Sequence, residues 1–307
     1  MLTRTIRIGT RDSELALWQA NTVREQLEKS GYTTTLVPVK STGDIVLDKP
    51  LYELGITGIF TKTLDVAMLN GDIDIAVHSM KDVPTALPKG IVEAAVLKRA
   101  ATQDILVHKG LDFLDNKGII ATGSLRRKAQ WLHRYPEHTV VDLRGNVNTR
   151  MKKLEDNDWN GAIFAAAGLQ RINLTPDNFI DLDWMIPAPA QGAMLVVAKE
   201  EDAFCLEALS LLNDKETQEC VAIERDFLRT LEGGCTAPIG ALASKVNDVE
   251  YRFEGALFSL DGTQKIQVEE TFSLGKHEGL GKKLAEKLLD EGGKELMKEI
   301  KEILKKD

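Results

Sequence analysis

The stretch "LEGGCTAPIG", residues 231–240, sets Cys235 directly after two glycines and three residues before Pro238. Glycines suit the tight or close-approach backbone of a turn, so the helix before it is expected to end at Gly233, with Pro238 preventing its continuation. A thiol carried on such a turn is a soft nucleophile open to covalent work, although a Gly-Gly-Cys turn can equally be packing with a small residue. Spacing leaves both readings open. The other two cysteines sit differently. Cys220 shares a helical face with Ile223, Phe227 and Leu231, and Cys205 lies near Leu209 and Leu212, so both read as core.

A second set of residues suits anions. Residues 122–153 carry Arg126, Arg127, Lys128, Arg134, Arg144, Arg150, Lys152 and Lys153 against Glu137 and Asp142 alone, in a chain whose net charge is -8. Thr122 and Ser124 stand just before the helix that bears Arg126 and Arg127, so hydroxyls, free backbone N–H groups and the helix dipole would converge there with guanidinium groups. Arginine matches carboxylate geometry bidentately, which favours a polyanion cleft over a merely solvated basic face. Arg144 follows a strand end, Arg150 opens the next helix, and Arg11, just before Ser13, repeats the arrangement near the N-terminus. The segment "VHSMKDVP" then supplies a possible acid: His78, Ser79, Lys81 and Asp82 follow an apolar strand, where a carboxylate could move protons or steady a developing cation. Asp before Val-Pro is also ordinary turn chemistry.

These residues need a scaffold, and the rest of the chain provides an α/β one. "TIRIG", "TTLVPVK" and "DIDIAVHS" read as strands, with a helix after Ser13 marked by Ala16, Ala20, Val23 and Leu27 and a short one at "LDVAMLN". The alternation restarts with "DILVH", "IIATGS" into "LRRKAQWLHRY", "TVVDLRGN" into "VNTRMKKLED", and "AIFAAAG". "KRAATQ" and "IPAPAQG" read as crossings between the two units, and "AMLVVAK" as a strand returning to the first. After about residue 215 the pattern becomes helical at "TQECVAIERDFLRTL" and then hairpin-like around Asp261-Gly262, with two amphipathic segments broken at Gly292-Gly293. The expected division is domain 1 at 1–98 with 193–211, domain 2 at 103–187, and a smaller α+β domain 3 at 216–307.

Composition narrows the function. With 307 residues, 43% apolar and 28% charged, the chain is an ordinary globular one of more than one domain. No apolar run approaches the roughly 18 residues of a membrane span, and the first residues hold no signal-like run, so the cytoplasm is the expected location. The five histidines show no metal-ligand spacing, and no metal is expected. The acidic balance argues against general nucleic-acid affinity.

Taken in chain order, "RIGTRDSELALWQA", "DIAVHSMKDVP", "TGSLRRKAQ", "LRGNVNTR", "AAAGLQRI", "PAPAQGA" and "LEGGCTAPIG" closely resemble the porphobilinogen deaminases, or hydroxymethylbilane synthases. The resemblance spans nearly the whole chain. It implies two α/β domains like those of periplasmic binding proteins, joined by a hinge, plus a smaller C-terminal α+β domain. It implies a monomeric transferase of tetrapyrrole and haem biosynthesis that joins four porphobilinogens head to tail into hydroxymethylbilane, releasing ammonia each time. On the motif matches, Cys235 would carry a dipyrromethane cofactor through a thioether, and Asp82 would be the catalytic carboxylate. Ser79, Lys81, Asp82, Thr122, Ser124, Arg126, Arg127, Arg144, Gly145, Gln191 and Gly192 would contact the cofactor. Arg11, Ser13, Arg144, Arg150 and Gln191 would contact the substrate.

The chain also departs from the family pattern. The common "GKGLF" reads "GITGIF" here, with Thr57 for the lysine, and Glu53 stands where relatives can have another lysine; Lys62 and Lys49 are the candidates to compensate, a point that spacing does not decide. "GTSSLRR" has become "ATGSLRR", losing a hydroxyl at Gly123, and "GQG" has become Ala190-Gln191-Gly192. Two other readings are weaker. A non-catalytic binding protein of two hinged α/β domains needs neither Cys235 nor a third domain, and a cysteine hydrolase would want a histidine base that no motif here supplies.

Overall fold

Ile6 and Ile8 of β1 (Ile6–Thr10) are fully buried, and α1 (Glu14–Lys29) covers them with Ala20, Val23 and Leu27, the helical stripe legible in the sequence. In chain order there follow β2 (Thr34–Pro38), α2 (Lys62–Leu69), β3 (Ile75–Ser79), a 3-10 turn over Met80–Asp82 and β4 (Ile91–Val96). A second run comprises β5 (Asp104–His108), β6 (Ile119–Ala121), α3 (Leu125–Arg134), β7 (Thr139–Val141), α4 (Val147–Asp156), β8 (Gly161–Ala165), α5 (Ala166–Arg171) and β9 (Phe179–Asp181). The chain continues through β10 (Met194–Lys199), α6 (Ala203–Ser210) and α7 (Lys215–Thr230). It finishes with β11 (Ile239–Lys245), β12 (Tyr251–Phe258), β13 (Lys265–Phe272), α8 (Leu280–Leu288) and α9 (Lys294–Leu304). This is a computed structural model, and it describes residues 4–39, 61–231, 237–275 and 277–305.

Contacts divide the chain into two compact units, with boundaries at 100/101, 191/192 and 218/219. The first unit holds a sheet of order β2-β1-β3-β10-β4. In it β1 runs parallel to β2 and β3, whereas β10 enters antiparallel to both β3 and β4. Its core joins Ile6, Ile8, Ile75, Val77 and Val196 to Cys205 and Leu209 of α6. The two connecting strands of chain are themselves bonded, the N–H of Ala100 donating to the carbonyl of Gly192 at 3.1 Å.

The second unit holds a sheet of order β7-β6-β8-β5-β9 and an antiparallel β11-β12-β13 sheet. In the five-stranded sheet β6 is parallel to β7 and β8, and β5 is antiparallel to β8. Thus β5 and β10, the strands that follow the two crossings, both occupy the fourth place of the sheet they join. The three-stranded sheet packs on α7, α8 and α9 through Phe227, Phe253, Leu257, Leu284 and Leu296. A small cluster of Ala129, Ile186, Ala256 and Phe258 joins it to α3.

Several details differ from the sequence reading. α7 stops at Thr230, before the expected Gly233, and Cys235 lies outside the described residues. "AIFAAAG" is divided, a strand to Ala165 and a helix from Ala166. Strand β4 and strand β11 escaped the alternation reading because small residues such as Ala94, Ala95, Gly240 and Ala243 blur the apolar–polar contrast. Gly292 (φ 108) breaks the last two helices as expected.

Candidate active site

In open α/β sheets ligands gather beyond the carboxyl ends of the strands, where loops and helix N-termini meet. The predicted residues occupy such ends in each unit separately. In the first unit, β1 leads to Arg11 and Ser13, both half-buried. Ser13 takes the N-cap position with extended backbone, and its carbonyl accepts from Leu17 N–H at 2.9 Å, but its hydroxyl makes no capping bond. The helix therefore starts with its ordinary main-chain bond and without a side-chain cap from Ser13. Thr10, fully buried, steadies this loop by donating from Oγ1 to the Ala16 carbonyl at 3.0 Å.

Strand β3 delivers Ser79 to the same edge. Gln19, 2% exposed on α1, donates from Nε2 to Ser79 Oγ at 2.9 Å. Beyond Ser79, Met80 and Val83 turn inward, and the N–H of Val83 donates to the Met80 carbonyl at 3.1 Å. That short turn leaves Lys81 and Asp82 half-buried between two anchored apolar residues. His78 is buried, and burial first, then the charge of Arg11, pushes its pKa down to about 4, so its imidazole is neutral near pH 7.

In the second unit β6 ends at Ala121, and Thr122, Ser124, Arg126 and Arg127 follow within one turn. Ser124 caps α3, its Oγ accepting from Arg127 N–H at 3.4 Å, and Thr122 Oγ1 accepts from Ser124 N–H at 3.3 Å. Gly123 suits the place: a β-carbon there would lie 2.6 Å from the Leu143 carbonyl oxygen, so the main chain leaves no room for a serine without shifting. Arg126 and Arg127 are 5% and 6% exposed and converge on fully buried Asp104. Arg127 donates to Asp104 Oδ1 through Nε (3.0 Å) and Nη2 (2.7 Å) and to the Ile163 carbonyl through Nη1 (3.0 Å). Arg126 Nη1 lies 2.8 Å from Asp104 Oδ2 and donates to the Ile186 carbonyl at 2.7 Å.

Asp104 corrects the charge argument made from sequence. The basic stretch is opposed by this carboxylate from β5 as well as by Glu137 and Asp142, because the sheet brings strands distant in sequence to one edge. Two guanidinium groups against one carboxylate still leave net positive charge. Arg126 Nε is buried with no hydrogen-bond partner among the described residues. Gln191, fully buried, donates from Nε2 to Asp104 Oδ1 (3.0 Å) and to the Thr102 carbonyl (2.7 Å).

Arg144, beyond β7, is 4% exposed, and burial, opposed by the charge of Asp142, lowers its pKa. Arg150 Nε donates to the carbonyl of Gly145 at 2.7 Å, fastening the first turn of α4, which Asn146 caps through Thr149 N–H at 2.9 Å. Gly192 follows Gln191 and belongs to the first unit. Cys235, Lys49, Glu53 and Thr57 lie outside the described residues, and Lys62 is exposed at the start of α2.

Three residues went unremarked in the sequence. Gln19 left the trace of a polar side chain beside the apolar stripe of α1. Asp104 opens an apolar strand, a place where a buried acid needs cations. Arg171, at the end of α5, has its pKa brought down to about 10 by burial. Among the described residues no cluster of His, Cys, Asp and Glu could hold a metal ion, and no helix is long and apolar enough to cross a membrane.

Comparison with known proteins gives a consistent result. The family model "Porphobilinogen deaminase, dipyromethane cofactor binding domain" matches residues 6–207, and "Porphobilinogen deaminase, C-terminal domain" matches residues 218–290. The porphobilinogen deaminase of Pelobacter propionicus is 40% identical over 303 residues, covering 97% of each chain. That of Desulforamulus reducens is 43% identical over 303 residues, covering 96% of this chain and 98% of its own. The chloroplastic porphobilinogen deaminase of Oryza sativa is 42% identical over 277 residues, with 87% and 77% covered. Among solved structures, the methionine binding protein MetQ aligns with a TM-score of 0.43 at 16% identity, over 72% of this chain and 94% of its own. Matched over both parts of its length, with relatives of this similarity along almost all of it, the chain belongs to the porphobilinogen deaminase family.

Proposed function

We propose that this chain condenses four porphobilinogens head to tail into hydroxymethylbilane with loss of ammonia, primed by a dipyrromethane held through a thioether on Cys235. The observation that carries the reading is the buried Arg126–Arg127 pair on Asp104, with net positive charge and the unpartnered Arg126 Nε. A buried guanidinium donor without an acceptor is costly unless a ligand supplies one, and the acetate and propionate groups of such a cofactor fit that need. When bound, the dipyrromethane supplies a nucleophilic pyrrole carbon and anionic side chains.

The protein residues divide the remaining work. Arg126, Arg127, Thr122 and Ser124 grip ring carboxylates at the start of α3, with Lys81, Arg144, Gly145 and Ser79 as further contacts. Arg11, Ser13, Arg144 and Arg150 receive the incoming substrate, while Gln191, buried with its amide on Asp104, and Gly192 lie at the crossing between domains. Asp82 is the catalytic carboxylate: fixed on the turn after β3, it stabilises the positive charge that develops on a pyrrole nitrogen and holds its proton. His78, buried at the end of β3, is neutral and adds no further cation there. The domains are those of the sequence reading, 1–98 with 193–211, 103–187 and 216–307, in a cytoplasmic monomer.

Intact-mass measurement tests the reading. The wild-type chain, as purified or after addition of porphobilinogen, should carry the mass of two linked porphobilinogen-derived rings, and Cys235→Ser should not. A wild-type chain that gains no mass in either state removes the proposal, and a Cys235→Ser chain that gains it moves the anchor elsewhere.

A further inference from the structure

Among the described residues only Asn173 and Ala190 adopt a positive φ without being glycine, and Ala190, at 61°, is fully buried. A β-carbon is crowded in this left-handed region, so an alanine remains there only when its surroundings dictate it. Glu224 of α7 does so. It is 0% exposed, its Oε2 accepts the Ala190 N–H at 2.6 Å, and its Oε1 accepts the N–H of Ala243 in β11 at 2.7 Å. Both oxygens are thereby committed to main-chain donors.

The next residue transmits this constraint. The N–H of Gln191 donates to the Ala188 carbonyl at 2.9 Å, closing the turn, and its amide reaches Asp104 Oδ1, the oxygen that also holds Arg127. A buried path of hydrogen bonds therefore runs from Glu224 through Ala190, Gln191 and Asp104 to the guanidinium pair. We propose that Glu224 is a positioning residue, which holds Ala190 left-handed so that Gln191 supports Asp104 and keeps Arg126 and Arg127 set for the carboxylates they bind. This rests on the reading given above for those arginines. It also gives α7, the helix that ends at Thr230 shortly before Cys235, a mechanical tie to the arginines.

Glu224→Gln is the informative change. An amide offers one acceptor oxygen, and its NH2 would face an N–H, leaving a buried donor unpaired. The experiment follows, by intact mass, the rate at which unloaded chains gain the two-ring mass after addition of porphobilinogen. Its chains are wild type, Glu224→Gln, Glu224→Gln with Ala190→Gly, and Leu284→Ala, a fully buried core change in the same part of the chain. Glu224→Gln should load roughly tenfold or more slowly, as expected for misplaced binding groups. Ala190→Gly should restore part of that rate, because glycine adopts a left-handed φ without a β-carbon. Leu284→Ala should lower the melting temperature yet load at the wild-type rate.

Wild-type loading by Glu224→Gln overturns the proposal, as does equal slowing in Leu284→Ala at a matched melting temperature or a complete lack of rescue by Ala190→Gly. If Glu224→Gln does not fold, Glu224→Asp takes its place, keeping the charge but shortening its reach, and wild-type loading by that variant is equally fatal. A wild-type chain that never loads removes the proposed function itself, whereas a loading wild type beside an unaffected Glu224→Gln removes this inference alone.

Discussion

Asp104 holds Arg127 twice through one oxygen, with Nε at 3.0 Å and Nη2 at 2.7 Å, in a place where the carboxylate is 0% and the arginine 6% exposed. Since Arg126 shares the same carboxylate, removing it strands two buried cations. Asp104→Ala should therefore destabilise the second unit by about 3–5 kcal/mol. Urea unfolding followed by fluorescence of the buried Trp131 measures this, and a loss under about 1 kcal/mol would contradict the account.

A second stability effect centres on the β12–β13 turn. His133 Nδ1 donates to the Gly262 carbonyl at 2.7 Å, and a β-carbon on Gly262, whose φ is +77°, would meet the Ala129 carbonyl oxygen at 2.5 Å and His133 N at 2.6 Å. Gly262→Ala should cost about 1–3 kcal/mol. Gly31→Ala is the comparison, since its φ is +89° with nothing within 4 Å of an added β-carbon. Calorimetry should give Gly262→Ala the lower melting temperature, and equal melting would mean that the turn yields freely against α3.

Acid should weaken the first unit through Asp74. Burial alone would raise this carboxyl, but hydrogen bonds from Arg7 and Arg4 outweigh it and hold its pKa at about 2, below the usual 3.8. A folded pKa below the unfolded one means stability that is complete above about pH 4 and drains away as the pH falls towards 2. The partners are 40% and 42% exposed, so screening reduces the effect to about 1–2 kcal/mol. In Asp74→Asn the loss between pH 4 and pH 2 should shrink by this amount, and an unchanged pH profile would refute the assignment.

For Asp82 the expectation concerns rate. Asp82→Asn keeps the size of the side chain and removes its charge, so turnover should fall by about 10²–10⁴-fold. The melting temperature should change little, because Asp82 is half-buried on a turn anchored by Met80 and Val83. Near-normal turnover by a folded Asp82→Asn chain would remove Asp82 from the catalytic role.

Much of the scaffold was readable from the sequence because local rules generate it. Period-two runs such as "TIRIG" and "DILVH" became strands, and the stripe Ala20, Val23 and Leu27 became the covered face of α1. The types of residue suited to the site were equally legible, since arginines beside Thr122 and Ser124 at a helix start advertise anion binding through local sequence alone. What the sequence by itself determined about this protein was its alternation of elements and its chemistry-bearing motifs, with the family they resemble. Tertiary structure alone decided which strands became neighbours, and hence that Asp104 would sit under Arg126 and Arg127, and that Gln191 would support it. It also decided that Glu224, at helical spacing from Cys220 and Phe227 in an apolar stripe, would receive the N–H groups of Ala190 and Ala243. The physical reason is that a buried charge needs partners, and its partners here come from strands and turns far away in the chain, which no local pattern records.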